Sequence, residues 1–354
     1  LSMQTRAFDQ TPSENFGVLR LKRRVLNEAS TVGLIATNRQ DREGGFNRLL
    51  GVDGTLRLFG ENFLSLRLAQ TDDDLAHEGT ALDGARLFVE LTDRSPLGFT
   101  YGLSYSRSGE TYDPGIGFQS RANFTEAAVT TAYNFFPSES RWVQVGPYAN
   151  GSFIWDNTEG TLESRNVTLG FLGFTKSGWS ASIAGRSDLE VLKQPLGLAG
   201  DLVVPSGRYP TAGLDGFVAT PASLRISGSA NLSTGQFFGG TRQSVTLSPF
   251  ITVTPDLLVS GSYGYNRINL PDSGGELQRR TLALLTARVE YYFSTRLSVS
   301  SLVQHNNTAN LVQGSLRIRY NPSEGNDLYL VFNGDANQLR DRTRAVALSW
   351  VRYD

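Results

Sequence analysis

Long runs of alternating apolar and polar residues are the feature of this sequence that most constrains its fold. Around residue 66, Leu64, Leu66 and Leu68 alternate with Ser65 and Arg67. Successive side chains of a β-strand point to opposite faces, so each such run has one apolar and one polar face. Similar runs occupy 50–58, 85–91, 99–105, 224–231 and 315–320. Many runs last roughly nine to fourteen residues, the length that lets a tilted strand cross a bilayer.

These strands predict an all-β fold, a large antiparallel transmembrane β-barrel whose apolar half-strands contact lipid and whose polar half-strands face an aqueous lumen. The composition agrees with this prediction. A soluble core of 354 residues usually needs more aliphatic residues than a chain with 39% hydrophobic residues supplies. No segment reaches the ~18 apolar residues of a transmembrane helix. The net charge of −1 argues against a nucleic-acid partner.

The absence of cysteine has two explanations. A chain without thiols avoids misoxidation in the periplasm, which outer-membrane proteins cross. The alternative is chance, because many cytosolic proteins also lack cysteine.

Aromatic residues gather where the alternating runs end. In a transmembrane barrel such residues form girdles at the two membrane interfaces. The alternative is that they terminate the strands of an ordinary core. The residues concerned are Phe135, Phe136, Tyr291, Tyr292, Phe293, Trp350 and Tyr353.

Short and long connections alternate along the chain, as in outer-membrane barrels with periplasmic turns and external loops. The longer ones cover 72–80, 109–121, 271–278 and 335–341. The alternation continues to the end only if an extra strand lies near 208–217. The count is then about twenty strands, including a partial one at the start. The last strand, near 343–353, would run towards the periplasm.

Several short blocks of sequence carry a family resemblance that extends over nearly the whole chain. They lie at 15–23, 30–33, 37–39, 47–48, 51–53, 113–118, 205–209, 235–240, 304–307 and 327–333, and include Asp113-Pro114-Gly115-Ile116-Gly117-Phe118 and Gln304-His305-Asn306-Asn307. In order and spacing they resemble the outer-membrane barrels catalogued as domain of unknown function 5916.

This resemblance implies an outer-membrane barrel joined to an N-terminal, carbohydrate-binding-like domain in the periplasm. We therefore expect residues 1–354 to form a single β-barrel domain that lacks upstream strands and that N-terminal domain. The biochemical activity of the family is not established, so the resemblance bears on fold and location more than on function.

Arginine dominates the charge of the polar strand faces, since only three of the 33 basic residues are lysines. One interpretation is a charged lumen that attracts anionic solutes. The favoured alternative is a ladder of arginine–carboxylate pairs that braces a wide barrel wall. A braced wall can still line a pore. The predicted lumen-lining residues are Arg20, Arg57, Arg67, Arg86, Glu90, Arg225, Arg288, Glu290, Arg317 and Arg319.

The remaining motifs do not match a metal, hydrolase or phosphate-binding site. His77 lies in an acidic segment, but its spacing matches no metal template, and we expect a solvated loop. His305 would need a positioned serine and an acid to act in a hydrolase. The segment 235–240 is glycine-rich without the lysine of a phosphate-binding loop. The segment 113–118 either folds inward as a constriction or packs over the barrel mouth.

The sequence thus predicts an outer-membrane channel or transport component for solutes. The alternatives are an anchoring barrel that holds a partner or the N-terminal domain at the membrane and, less favoured, a barrel-embedded hydrolase. The expected partners are the lipid bilayer with its lipopolysaccharide and a periplasmic or surface protein. No catalytic residue, metal or cofactor is predicted.

Overall fold

The computed structural model describes residues 2–6, 12–75, 80–198, 202–271, 275–323, 325–337 and 347–351. Over these residues the regular structure is entirely β, and the prediction of an all-β fold is confirmed. The described part of the chain holds no helix with the length and apolar character needed to span a membrane. His77, Tyr353 and the side chain of Trp350 lie outside the described residues.

In the described part of the chain, twenty-two strands follow one another. Twenty of them belong to one sheet, and β12 and β13 form a separate hairpin. The strands are β1 Ser2–Gln4, β2 Glu14–Arg24, β3 Thr31–Asp41, β4 Phe46–Phe59, β5 Asn62–Asp73, β6 Ala85–Asp93, β7 Gly98–Ser108, β8 Phe124–Asn134, β9 Trp142–Asp156, β10 Leu162–Thr175, β11 Ser180–Leu192, β12 Leu196–Gly197, β13 Val203–Val204, β14 Gly207–Ala219, β15 Ile226–Phe237, β16 Gly240–Thr254, β17 Leu257–Pro271, β18 Leu277–Tyr292, β19 Leu297–Asn306, β20 Leu311–Ser323, β21 Asn326–Asn337 and β22 Ala347–Val351.

The strand count and the connections agree with the sequence. The extra strand expected near 208–217 is β14, and the longer connection expected at 109–121 follows β7. Parts of the connections expected at 72–80, 271–278 and 335–341 lie outside the described residues. The connection between β15 and β16, at the strand end where the longer connections lie, is much shorter. Phe238 and Gly239 form a two-residue turn with φ of 46° and 79°, the double positive φ of a type I′ hairpin.

The chain divides into two compact units. The first comprises Leu1–Phe135, Gly146–Leu169 and Asp188–Glu190, and the second comprises Phe136–Val145, Gly170–Ser187 and Val191–Asp354. In the first unit each strand from β1 to β9 pairs antiparallel with the next strand in the sequence. In the second unit the strands from β14 to β22 do the same.

The register of the first unit separates polar from apolar side chains. Gly33 pairs with Asp53, and Asp53 pairs with Arg67, so these residues share one face. The neighbouring residues Leu66 and Leu68 share the other face, where they are 39% and 49% exposed. We call the two faces the polar face and the apolar face.

Burial in the first unit is the reverse of that in a soluble protein. Ser65 and Ser108 on the polar face are 5% and 0% exposed, whereas large aliphatic side chains on the apolar face are exposed. A sheet that exposes leucine and buries serine suits hydrocarbon on its apolar side.

The second unit shows the same separation. Arg288 pairs with Ser260 and Leu302 on its polar face, while Val289 pairs with Val259 and Ser301 on its apolar face. The exposed apolar side chains of this unit include Leu232, Leu247, Val289, Val303 and Leu316.

A small apolar core closes one end of the second unit. Leu202 and Val204, from the segment before β14, pack against Ile268 and Leu270 of β17. Tyr209 and Phe238 pack against this core, and the centroids of their two rings are 5.3 Å apart. Leu202 and Val204 therefore lie over the polar face at the end of the strands.

The aromatic residues expected at membrane interfaces lie at strand ends and are exposed. Phe135 and Phe136 follow β8, and Tyr291, Tyr292 and Phe293 lie at the end of β18. Because these rings are exposed, they do not terminate a buried core.

The difference between the two faces can be tested within β7. We expect Leu103→Arg, on the apolar face, to lower the free energy of unfolding by about 2–4 kcal/mol, since a charge there must enter hydrocarbon. Ser104→Arg is the matched control, because Ser104 lies on the polar face and pairs with Glu90. Urea unfolding of the protein in lipid vesicles measures both. Equal losses for the two variants would contradict the assignment of the faces.

Candidate functional site

A charged cluster lies on the polar face of the first unit. Arg20 forms a hydrogen-bonded ion pair with Asp53. Lys22 and Arg67 also act electrostatically on the Asp53 carboxylate. Three cations therefore surround one carboxylate, and the cluster carries excess positive charge.

Gly33 leaves the room that this ion pair needs. Arg20 on β2 reaches Asp53 on β4 by crossing over β3 at Gly33. A Cβ atom at position 33 would lie 2.8 Å from Arg20 Nη2 and 2.8 Å from Asp53 Oδ1, well inside van der Waals contact. Any larger residue there displaces the tip of the arginine.

The second unit repeats this arrangement. Arg186 donates to Asp215 Oδ1 at 2.5 Å and to Ser233 Oγ at 2.7 Å. A Cβ atom at Gly213 would lie 2.8 Å from Arg186 Nη2. An arginine that crosses a glycine to reach a partner is therefore a recurring brace of this wall.

The other predicted residues of the first unit have varied partners. Arg57 lies near the β4–β5 turn, where it pairs with Glu61 at 2.5 Å. Arg67 places its guanidinium 4.9 Å from the centre of the Phe88 ring, a cation–π contact. Arg86 and Glu90 lie on the polar face of β6. Neither forms an ion pair with another residue in the described part of the chain.

In the second unit, Arg288 and Glu290 lie two residues apart on the polar face of β18, with Nη1 and Oε1 3.6 Å apart. Arg319 pairs with Asp327 at 2.8 Å, and Arg317 lies 5.6 Å from the centre of the Tyr329 ring. Arg225 precedes β15 and donates to the carbonyl groups of Thr252 and Val253. It is thus a turn residue.

The segment 109–115 folds onto the polar face of the first unit. Asn47 Nδ2 donates to the Asp113 carbonyl at 3.1 Å, and the Asp113 amide donates to Thr71 Oγ1 at 3.3 Å. Tyr112 is buried beside them, and this burial raises the pKa of its phenol. The residues 113–115 thus lie against the polar face, while Phe118 is 89% exposed; we call 109–115 the inward segment because it lies on the polar side of the sheet. No motif in the sequence predicts the contacts of Asn47 and Thr71, which join distant segments.

Residues 80–85 support this inward segment. The Thr111 amide donates to the Asp83 carbonyl, and the Gly109 amide donates to the Ala85 carbonyl, both at 2.9 Å. The amide and hydroxyl of Thr80 donate to the Asp83 carboxylate, which lowers the pKa of that carboxyl.

His305 lies on the apolar face, where it pairs with Leu285 and Val312. Neither neighbour is a serine or an acid, so the register builds no Ser-His-acid site around it. Among the described residues, no three histidine or acidic side chains are grouped closely enough to hold a metal by themselves.

Comparison with known proteins identifies the fold. No family model matches the chain, and no curated protein matches it. Among solved structures, the siderophore receptor PirA from Acinetobacter baumannii is similar over 94% of this chain, with a TM-score of 0.50 and 8% sequence identity. The chain covers 66% of that receptor, slightly less than two thirds. At this identity the similarity concerns the fold alone: the chain is a large antiparallel β-barrel of the outer-membrane type.

Proposed function

We propose that this chain is an outer-membrane barrel that passes small anionic solutes, with the polar face as the lining of its lumen. The observation that carries the proposal is the cluster of Arg20, Lys22 and Arg67 around Asp53. Its excess positive charge on a wall that faces water attracts anions and repels cations.

The bracing of the wall and the filtering of solutes rest on different residues. Arg20 and Arg186 are held by carboxylates, and they stabilise the wall. Lys22 and Arg67 lie beside Asp53 in the register of β2, β3, β4 and β5, while the hydrogen bond to Asp53 comes from Arg20. We assign to them the field that a passing solute meets. In this proposal the polar-face arginines both brace the barrel wall and attract anionic solutes.

The proposed location is the outer membrane, with the bilayer and lipopolysaccharide as the surroundings of the apolar face. The similarity to a receptor barrel supports a transport role in general. It does not extend the siderophore named for that receptor to this chain. The resemblance to domain of unknown function 5916 supports the same location and is likewise a proposal.

A second candidate is an anchoring barrel that carries no solute. The segments 109–115 and 202–206 both lie over the polar face of their units, and such segments narrow or block a lumen. In that case the barrel would hold a periplasmic or surface partner, including the N-terminal domain that the resemblance implies. A hydrolase is not proposed, because His305 lies on the apolar face.

Conductance measurements separate the channel from the anchor. In a planar bilayer with a KCl gradient, we expect single channels whose reversal potential favours chloride, because the cluster is positive. Neutralising Lys22 and Arg67 together, as Lys22→Gln and Arg67→Gln, should shift the reversal potential towards potassium. Arg23→Gln is the matched control for the single variant Lys22→Gln, because it removes one positive charge from the adjacent residue on the opposite face.

Each result of this experiment decides between the candidates. A folded protein that stays electrically silent at all voltages would refute the channel and favour the anchor. Channels whose selectivity is unchanged in the double variant, or changed by Arg23→Gln as much as by Lys22→Gln, would refute the role assigned to Lys22 and Arg67.

The glycine that Arg20 crosses can be tested separately. Gly33→Ala displaces the Arg20 tip from Asp53, whereas Gly54→Ala on the apolar face meets its nearest atom at 3.5 Å. We expect Gly33→Ala to be less stable than Gly54→Ala by about 1 kcal/mol, the upper value for an exposed ion pair. The difference should disappear in an Asp53→Asn background. If it persists there, the glycine serves a purpose other than the ion pair.

A further inference from the structure

A polar cavity of about 390 Å³ lies on the polar face of the first unit, where β6, β7, β8 and β9 run side by side near the β6–β7 turn. We call it the wall pocket. Neighbouring strands lie about 4.8 Å apart, so the four strands give it a width of roughly 14 Å. The polar side chains that line it from this face are Glu90, Thr92, Thr100, Thr130, Tyr148 and Asn150.

Small residues in the middle of the four strands create the wall pocket. Two adjacent rows of paired residues cross the strands here. The first row consists of Thr92, Gly102, Thr130 and Asn150. The second row contains Ala132, which pairs with Tyr148. A side chain is absent at Gly102 and short at Ala132, so the centre of the wall pocket is lower than its two sides.

Four polar side chains around the wall pocket form no hydrogen bond or ion pair with another residue in the described part of the chain. They are Glu90, Thr130, Tyr148 and Asn150. Nearby on the same face, polar groups pair with each other, as Ser152 Oγ does when it donates to Glu126 Oε1 at 2.6 Å. Unpaired polar groups that converge on one cavity are typical of a site that binds a polar ligand.

The two other charged residues at the wall pocket are held by the β6–β7 turn. Asp93 Oδ1 accepts from the Ser95 amide at 2.6 Å. The Arg94 guanidinium lies 4.2 Å from the centre of the Phe63 ring, a cation–π contact. The opposite charges of Asp93 and Arg94 offset each other, so Glu90 sets the net charge of the described lining residues.

The donors and acceptors of these side chains suit an uncharged solute that is rich in hydroxyl groups. Glu90 repels an anion. A cation would leave the donors of Tyr148 and Asn150 without partners, and Lys22 and Arg67 on the same face repel it. A hydroxyl group both donates and accepts, whereas a carboxylate only accepts. A hydroxyl of the solute therefore donates to Glu90 and accepts from Asn150 or Tyr148.

We propose that the wall pocket binds an uncharged sugar of the size of a hexose. Water occupies about 30 Å³ in the liquid, so the cavity has the volume of roughly thirteen waters, which is room for one sugar ring with its hydroxyl groups. The half-buried Tyr148 ring offers the apolar surface beside them. The proposal rests on the part of the proposed function that makes the polar face the lining of a lumen. It adds a class of solute that the positive cluster does not attract.

Saturation-transfer NMR on the full chain tests this site. The protein is kept in a detergent without a sugar headgroup, glucose is the probe, and empty micelles are the blank. We expect saturation to pass from the protein to the glucose protons, and a titration of this signal gives the dissociation constant. Glucuronate, which carries a carboxylate on the same ring, should displace glucose poorly, because Glu90 repels it.

Three variants locate the site. We expect Glu90→Gln to weaken glucose binding about fivefold, the difference between a hydrogen bond to a charged acceptor and one to a neutral acceptor. The same variant should let glucuronate displace glucose more readily. Gly102→Ala should weaken binding by pushing Thr130 into the wall pocket, because a Cβ atom there would lie 2.6 Å from Thr130 Oγ1. Tyr148→Phe removes one hydroxyl and keeps the ring, so it tests the site even if Gly102→Ala does not fold.

Glu126→Gln is the matched control, because it removes a carboxylate from the same face outside the wall pocket. Saturation transfer to glucose no greater than that of empty micelles would overturn the proposal, since the cavity would then hold water alone. Equal weakening by Glu126→Gln and Glu90→Gln would overturn it as well, because glucose would then bind elsewhere. An electrically silent barrel that binds glucose through Glu90 would refute the channel and leave this site standing, whereas a conducting channel that binds no glucose would refute this site alone.

Discussion

The backbone hydrogen bonding of the strands determines the rest of this structure. In hydrocarbon an unpaired N–H or C=O group costs several kcal/mol, so a strand that crosses a membrane must pair along its whole length. Pairing each strand with its successor meets this demand in both units. It also fixes the side-chain faces, because directly paired residues lie on the same side of the sheet. The alternation seen in the sequence follows from this constraint.

The charged side chains of the polar face also need polar partners, and they find these partners on nearby strands. Arginine side chains are long enough to cross a neighbouring strand, but a Cβ atom on that strand stands in their way. Gly33 and Gly213 remove this obstacle for Arg20 and Arg186. Glycine normally weakens a strand because it has no side chain to pack. Here its lack of a side chain allows the ion pair of Arg20 with Asp53 and the hydrogen bond of Arg186 to Ser233, each to a strand beyond the neighbouring one.

The alternation predicts the faces and the strand count because both are local properties of the chain. The position of β14 also follows from the sequence, since the order of turns and loops requires a strand there. The contacts of the inward segments do not follow, because Asn47 and Asp113 are 66 residues apart. Neither does the environment of the half-buried His305, whose neighbours lie on other strands. Local periodicity determines each strand, whereas a site formed between strands depends on registers that no single run contains.

The two segments that fold over the polar face are held by different interactions. The segment 202–206 is anchored by Leu202 and Val204, each no more than 4% exposed, in an apolar core with Ile268 and Leu270. Apolar burial of this kind does not depend on ions or on pH. The segment 109–115 is held by polar contacts, since Asp113 bonds to Asn47 and Thr71 and the amides of Gly109 and Thr111 donate to backbone carbonyls of 83–85. Of the two segments, 109–115 is therefore the one whose attachment depends on hydrogen bonds, for which water competes.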